Sequence, residues 1–465
     1  MVAAVDPNNS KHSTEKRHFV NQEQHDYDVA VIGFGKAGKT IARKRAEAGD
    51  SVVLFEQSPR MYGGTCINVG CVPTKKLLFE AHKTTGSDAR ARWEEIKEAR
   101  NALVSTMNEA NLDMVEQAGV KVVTARAKFV GAREIEADQQ RYRAKTVIIN
   151  TGASARTLDI PGIDDPRVVD STGVQFLEQL PKQLLIVGGG PIAMEFASLF
   201  ISLDVQVRML DQSPQFGGPF DRDVADAVLE HLQDQGLEFI ASADVQRIDA
   251  DEQLKVHATV DGAERSFDAD AVLVAIGRQA NTQDLGLEHA GVDVDDRGSV
   301  VVDKHLHTSA DGVYAVGDVN GGPQFTYISF DDHRVVLDDR WGEGARDTAD
   351  RVIPTATYID PPLATVGRNE AQLEREGISF EAKKAKIADI AVMPRPKIVE
   401  QTTGMAKFLI GEDDQILGAT LWCVDSQEII NTVALAMRVG MTATELGGQI
   451  ITHPANSEVL NGVLG

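Results

Sequence analysis

Residues 28–56 read DVAVIGFGKAGKTIARKRAEAGDSVVLFE. Asp28 to Ile32 has the apolar run of a buried strand, and the chain then passes through Gly33-Phe34-Gly35-Lys36-Ala37-Gly38. A helix is expected over Lys39 to Ala48, then a second strand over Val52 to Phe55 that ends at Glu56. Each glycine has its own task. Gly33 allows the tight turn, Gly35 admits a pyrophosphate, and Gly38 lets the helix pack closely on the strand. Glu56 lies 23 residues after Gly33, where a carboxylate accepts hydrogen bonds from a ribose. A plain structural turn needs no such agreement of strand, helix and terminal acid.

The device recurs 155 residues later. Leu184 to Val187 is a strand, followed by Gly188-Gly189-Gly190-Pro191-Ile192-Ala193, with Ala193 in place of the third glycine. The next strand, Val205 to Leu210, ends at Asp211, again 23 residues after the first glycine. Two such units imply two bound dinucleotides, or one duplicated fold with a dead site. The retained acid favours two live sites, with Gly188 and Gly190 at the second. A carboxylate at Asp211 suits a free ribose hydroxyl pair and repels a 2′-phosphate, so NADH is expected over NADPH. Arg208 is out of place for a phosphate clamp and reads as a solvated strand residue.

The chain has 465 residues, enough for about three domains. Its charge is 47 − 70 = −23, which argues against binding nucleic acid or an anionic membrane. Three cysteines, Cys66, Cys71 and Cys423, are too few for a disulfide scaffold and point to a reducing, cytoplasmic location. No stretch reaches 18 uncharged apolar residues, so a membrane span is not expected. Residues 1–26 are polar and read as a flexible tail without an apolar secretory core.

The segment Met61 to Lys75 reads MYGGTCINVGCVPTK. Metal binding by its two cysteines fails on ligand count, and no metal is expected. Two inert buried thiols are the bland alternative. The functional reading is a redox dithiol. Residues five apart in a helix sit roughly 8–9 Å apart, whereas a disulfide needs Cα atoms within about 7 Å. The segment must therefore bend, and Gly70 and Pro73 are placed to bend it. A bond closed across such a segment is expected to be labile.

Taken together, the two glycine fingerprints and the GGTCxNxGCxPTK segment resemble the class I pyridine nucleotide–disulfide oxidoreductases over about residues 27 to 462. That group includes dihydrolipoamide dehydrogenase, glutathione reductase and mercuric reductase. Other matching landmarks are Asn150-Thr151-Gly152-Ala153, Ala275-Ile276-Gly277-Arg278 and Ala315-Val316-Gly317-Asp318. The resemblance implies FAD on the first fingerprint and NADH on the second. It places Gly64, Thr65, Ala127, Thr151, Gly152, Asp318, Gln324, Phe325 and Thr326 around the flavin, and Gly277 beside the nicotinamide nucleotide. Lys75 and Glu195 would pair near the flavin, Cys71 would face it, and Cys66 would meet substrate. His453-Pro454-Ala455-Asn456-Ser457-Glu458 resembles the closing HPTxSE motif, departing from it at Ala455. There His453, held by Glu458, would serve the partner subunit's cysteines, making the enzyme a homodimer with a shared active site.

Finer details are similar to the bacterial reactive-chlorine-resistance flavoproteins, which reduce hypothiocyanous acid. They include Gly33 to Thr40, Met61 to Gly64, Phe325 to Asp332, Pro361-Pro362-Leu363 and Cys423 to Ser426. A small-molecule oxidant is therefore expected, with Cu(II) a further possibility. Dihydrolipoamide dehydrogenase remains open on the core motifs, as does a mercuric reductase-like activity, although the chain ends without a vicinal cysteine pair. A redox-sensing flavoprotein is the non-enzymatic rival, and Cys66, Cys71, His453 and Glu458 argue against it. Pro191 replaces a residue that in many relatives covers the nicotinamide pocket, so leakage of electrons to oxygen is expected; reoxidation in air as slow as in gated relatives would contradict this. His305 and His307 read as surface residues alternating on a strand, and Cys423 as a buried interface thiol.

The fold class expected is α/β: two Rossmann-like domains for FAD and NAD plus a C-terminal α+β dimerisation domain. The FAD domain should span 27–155 and 281–345, the NAD domain 156–280, and the dimerisation domain 346–465, with a long helix over Trp93 to Glu116.

Overall fold

The computed structural model describes residues 24–83 and 89–465. Most of the expected N-terminal tail, residues 1–23, lies outside the described residues. Its last three residues are already strand. β1 runs Gln24–Ile32, because Gln24 to Tyr27 stay in register with Arg141 to Ala144 on the neighbouring strand. The His25 and Tyr142 rings pack 5.4 Å apart there.

β1 leads to α1 (Lys36–Glu47) and β2 (Val52–Glu56). The helix begins three residues before the expected start, so Gly38 lies in its first turn. A Cβ on Gly38 would sit 2.7 Å from Val31, which is why that position takes glycine. After β2 come α2 (Thr65–Asn68), α3 (Cys71–His82) and α4 (Ala89–Gln117). β3 (Lys121–Thr124), β4 (Lys128–Gly131), β5 (Glu134–Ala137) and β6 (Gln140–Ile149) follow. The sheet order is β3-β2-β1-β6-β5-β4, and Val313–Ala315 pairs with β6. Its β3-β2-β1-β6 half is parallel. β2 is buried along its whole length, as a parallel strand covered on both faces must be.

The second unit repeats this plan with five parallel strands. Gln183–Val187 lies at its centre, between Gln206–Leu210 and Ala271–Val274. Its helix α5 (Pro191–Ile201) is buried at every residue from Ala193 to Phe200. A helix apolar on all sides belongs between layers. Here one face covers its own sheet, while Phe196 and Phe200 share a core with Leu77 and Leu78 of α3, Trp93 and Ile96 of α4, and Trp422. Trp93 and Phe200 rings lie 5.7 Å apart. Truncating such a side chain costs about 3–5 kcal/mol, so α3 is firmly seated against the second nucleotide fold.

The C-terminal region is a five-stranded antiparallel sheet, with Leu363–Gly367 and Ile416–Trp422 at its centre. The helix Ser426–Val439 packs on it. The architecture is thus α/β, with two Rossmann-like units and an α+β C-terminal unit. No helix among the described residues is long and apolar enough to cross a membrane.

Asp221, Asp223 and Glu370 bring carboxylate oxygens together, and the ammonium of Lys407 fills the space between them at 3.2, 2.7 and 2.8 Å. The cluster is an ion-pair joint between the nucleotide fold and the C-terminal unit. Two smaller expectations need correction. His305 lies in a turn, and His307 forms only an isolated bridge to Tyr314; their loop is shaped by N–H groups donating to Asp303, not by strand pairing. Cys423 is 1% exposed within the C-terminal core of its own chain, so it is a core thiol rather than an interface thiol.

Candidate active site

The cysteine segment owes its shape to backbone that few residues tolerate. Gly63 and Gly64 have φ of +95° and +80°, which turns the chain back against the first glycine loop. A Cβ on Gly64 would lie 2.9 Å from Gly35 Cα. α2 then lasts a single turn. It ends where the amides of Val69 and Gly70 both donate to Thr65 O, at 2.9 and 2.7 Å. Gly70 is the break, and α3 restarts at Cys71. Pro73 is not part of the bend. It occupies the third position of α3, where its missing N–H leaves no helical bond unmade.

Buried amides hold this turn. Asn68 donates to Tyr62 O and Gly64 O, both at 2.9 Å, and accepts from Asn108 on α4 at 2.9 Å. Gln175, 1% exposed, donates to Val69 O at 2.7 Å. Sequence reading missed all three, since their partners are set by the tertiary fold.

Both cysteines are free thiols in this structure, Cys66 partly buried and Cys71 exposed. They share a hydrogen bond and titrate unequally. Cys71 is held below the usual thiol range, first by the hydrogen bond from Cys66 and then by Lys75, against the opposing effect of burial. Cys66 is pushed up by the same hydrogen bond and by burial. Thr326, at the start of the helix Thr326–Trp341, has its hydroxyl 3.8 Å from Cys71 Sγ. Cys71 also opens α3, so two helix N-termini favour negative charge at this sulfur.

Lys75 and Glu195 meet, with Nζ 2.6 and 2.8 Å from the two carboxylate oxygens. Glu195 also accepts from the Tyr358 amide at 3.0 Å. Lys75 comes from α3 and Glu195 from α5, so the pair bridges the cysteine helix and the second nucleotide fold.

The first fingerprint is built around Asn150. Its Oδ1 accepts from the Gly38 amide at 2.8 Å, and its Nδ2 donates to Val316 O at 2.7 Å. A Cβ on Gly35 would lie 2.4 Å from this side chain. Gly33, at φ +99°, passes equally close to Asn150 O. Glu56 accepts from the amides of Phe34 and Ser58 at 3.2 and 3.1 Å; burial pushes its carboxyl up.

In the second copy Ala275 stands where Asn150 stands in the first. Gly188, at φ +107°, needs glycine for the same reason, with Ala275 O only 2.5 Å from where a Cβ would lie. Gly190 has no protein atom within 4 Å of such a Cβ. No contact with the described residues therefore demands glycine at that position. Asp211 lies against the loop, its Oδ2 2.3 Å from a Cβ on Gly189. Arg208 pairs with Glu238 at 2.6 Å.

The described residues fit FAD beside the first fingerprint. Among the described residues the Asp318 carboxylate makes no side-chain hydrogen bond, and burial raises its pKa. A partly buried acid on which Arg278 acts only through its charge is chemically suited to a ligand hydroxyl. Phe325 stacks on Tyr327 at 5.1 Å, Gln324 is exposed and Ala127 buried. Thr151 is tied to Asn281 O at 2.8 Å, and Gly152 and Gly277 have φ of +71° and +108°.

His453 Nδ1 lies 2.8 Å from Glu458 Oε1, and the Ala455 amide donates to Oε2 at 2.8 Å. Burial acts to raise the Glu458 carboxyl, but the amide and the imidazole outweigh it and the pKa falls. With Nδ1–H donating to Glu458, Nε2 keeps its lone pair, on a side chain that is 67% exposed. No hydrogen bond joins His453 to either cysteine among the described residues of one chain. Two cavities of about 530 and 490 Å³ share Arg133 and Arg340 and include none of these residues.

Comparison with known proteins agrees with this layout. Residues 27–332 match the pyridine nucleotide-disulphide oxidoreductase family, and residues 353–463 match its dimerisation domain. The chain is 40% identical over 444 residues to the probable pyridine nucleotide-disulfide oxidoreductase RclA of Escherichia coli K12, covering 94% of this chain and 98% of that protein. It is 32% identical to a mercuric reductase of Staphylococcus aureus, covering 90% and 79%. A solved structure described as the Cu(II) complex of the HOCl-induced flavoprotein disulfide reductase RclA from E. coli superposes with a TM-score of 0.89, covering 95% of this chain and 99% of that one. With two dinucleotide folds set around a dithiol, this protein belongs to the pyridine nucleotide-disulphide oxidoreductases, the FAD-binding disulfide reductases driven by NAD(P)H.

Proposed function

We propose that this protein uses NADH to reduce hypothiocyanous acid at Cys66, in defence against reactive chlorine species. The observation that supports the reading is the hydrogen-bonded dithiol, where the bond from Cys66 and the charge of Lys75 favour negative charge on Cys71, together with the His453–Glu458 pair at 2.8 Å on the dimerisation domain. Such a dithiol needs an external base before Cys66 can act. His453, oriented by Glu458 and exposed on the dimerisation domain, is that base for the partner subunit of a homodimer. The E. coli relative's description as HOCl-induced favours a small oxidant.

Bound FAD supplies the electron-pair relay between nicotinamide and disulfide. Gly33, Gly35, Gly38, Glu56, Gly64, Thr65, Ala127, Thr151, Gly152, Asp318, Gln324, Phe325 and Thr326 would hold it. Gly188, Gly190, Gly277 and Asp211 would hold NADH, with Asp211 selecting the unphosphorylated ribose. Lys75 keeps positive charge near Cys71, and Glu195 fixes its position.

On the substrate side, His453 takes the proton from Cys66. The thiolate attacks the electrophilic sulfur of hypothiocyanous acid, forming a Cys66–thiocyanate sulfenyl bond and breaking the S–O bond. Protonated His453 returns the proton to the departing hydroxide, which leaves as water. Cys71 thiolate then attacks Cys66 sulfur, expels thiocyanate and closes the disulfide. Two thiols are oxidised by two electrons and the oxidant is reduced by two.

The test is a panel on purified holoenzyme, with NADH or NADPH against hypothiocyanous acid, lipoamide, oxidised glutathione and Cu(II). Fastest NADH-dependent turnover on hypothiocyanous acid, lost in Cys66→Ser while FAD stays bound, is expected. Faster turnover of lipoamide would move the protein to the dihydrolipoamide branch. Cu(II) reduction that survives Cys66→Ser would show electrons leaving without the dithiol.

A further inference from the structure

We infer that Lys39 is the chain's own counter-charge to the Cys66 thiolate, a positioning residue that sets how readily that thiol gives up its proton. This rests on the reading that Cys66 is the thiol that meets substrate.

Lys39 follows the last glycine of the first fingerprint and is 3% exposed. Its ammonium hydrogen-bonds to Asn111 Oδ1 on α4, and no carboxylate lies within 4 Å among the described residues. A buried cation without a counter-charge is costly, and an apolar side chain would fill the same space at no such cost. Asn111 is itself anchored, donating to Met107 O at 2.6 Å. A Cβ on Gly63 would come within 3.1 Å of Asn111 and 3.0 Å of Ile67. The Lys39–Asn111 pair therefore lies directly behind the Gly63 to Ile67 segment that carries Cys66.

The charges around the two sulfurs divide between them. Cys71 faces Lys75, Glu195, Tyr327 and Tyr358, and Lys75 is neutralised by Glu195. Cys66 faces Cys71, Thr326 and Lys39. Among the described residues, the charged or titrating groups that act on Lys39 are Lys36 and Cys66, and its pKa is lowered to about 8, mainly by burial, with Cys66 opposing the shift. It remains largely cationic at neutral pH and gains its missing anion when Cys66 ionises. The partner subunit's imidazole removes the proton; Lys39 stabilises what is left behind.

The test uses full-length, FAD-loaded enzyme reduced anaerobically with NADH. Brief iodoacetamide pulses are given as a function of pH, and the alkylated cysteine is located by peptide mass. Cys423, buried in the core, is the unreactive internal control. Wild type is expected to alkylate at Cys66. Lys39→Met and Lys39→Gln should move that profile up by about one pH unit, making alkylation about tenfold slower at neutral pH, and Lys39→Arg should restore it. An unchanged profile in both neutral variants overturns the inference alone. Loss of FAD from both neutral variants overturns it in favour of a cofactor-holding role. Alkylation of Cys71 in wild type overturns the underlying assignment of Cys66 as the thiol that meets substrate.

Discussion

Replacing Lys75 by Met keeps the aliphatic stem of the side chain and removes its charge. Two effects on Cys71 then act in the same direction. The sulfur loses the attraction of the ammonium, and Glu195, until then held at 2.6 and 2.8 Å, repels it as an uncompensated carboxylate. A unit charge about 6 Å away at an effective dielectric of about 20 is worth about 3 kcal/mol, or about two pK units. Lys75 is 30% exposed and Glu195 only 9%, so solvent screens part of the first effect. A net rise of about one unit in the Cys71 midpoint remains. Glu195→Gln should move the midpoint the other way, because it leaves the cation and removes its opposing anion. The assay is thiolate ultraviolet absorbance of the reduced enzyme against pH, with Cys71→Ser as the assignment control. Midpoints that coincide with wild type in both variants would refute this electrostatic account.

His453→Ala should lower kcat/KM for the oxidant by about 10²–10³ while dimer and FAD remain, and a loss under about threefold would contradict its role as base. Asp211→Ala should erode the preference for NADH over NADPH by about tenfold, read from the ratio of the two kcat/KM values. Lys407→Met leaves Asp221 and Glu370 without their ammonium and Asp223 with Lys384 alone; a loss of about 3–5 kcal/mol is expected in urea unfolding, and a wild-type midpoint would show the cluster to be passive. Lys39 gives a pH signature of its own. Its folded pKa, about 8, lies below the ordinary lysine value of 10.5, so between these values the unfolded chain binds more protons. Wild type should therefore gain stability relative to Lys39→Met as pH rises through that window, and a constant difference in Tm would contradict it.

What could be read in the chain alone were features with local causes. Gly33 and Gly188 announce themselves because a tight turn at φ near +100° excludes a Cβ. His453 and Glu458 are five residues apart and meet in one turn. The bend between the cysteines followed from spacing, although Gly70 alone makes it. The work of the amides that hold the site was hidden. Asn150 stood in a landmark of the resemblance, but its clamp on the glycine loop from 112 residues away shows only in the fold. Gln175, which reaches Val69 across 106 residues, stands in no motif or periodic pattern. Lys407 was hidden for the same reason: its partners come from two helices distant in sequence, and a strand lysine ordinarily points to water.

The chain enters and leaves the second nucleotide fold along one short antiparallel ribbon, Ala153–Ala155 against Arg278–Ala280. Both ends of the inserted module are therefore side by side, the geometry in which domain insertion is tolerated. An evolving or engineered enzyme can exchange its electron donor there as a cassette, leaving the dithiol chemistry untouched. The one condition is that the incoming helix present aromatic bulk where Phe196 and Phe200 now meet Trp93 and the cysteine helix.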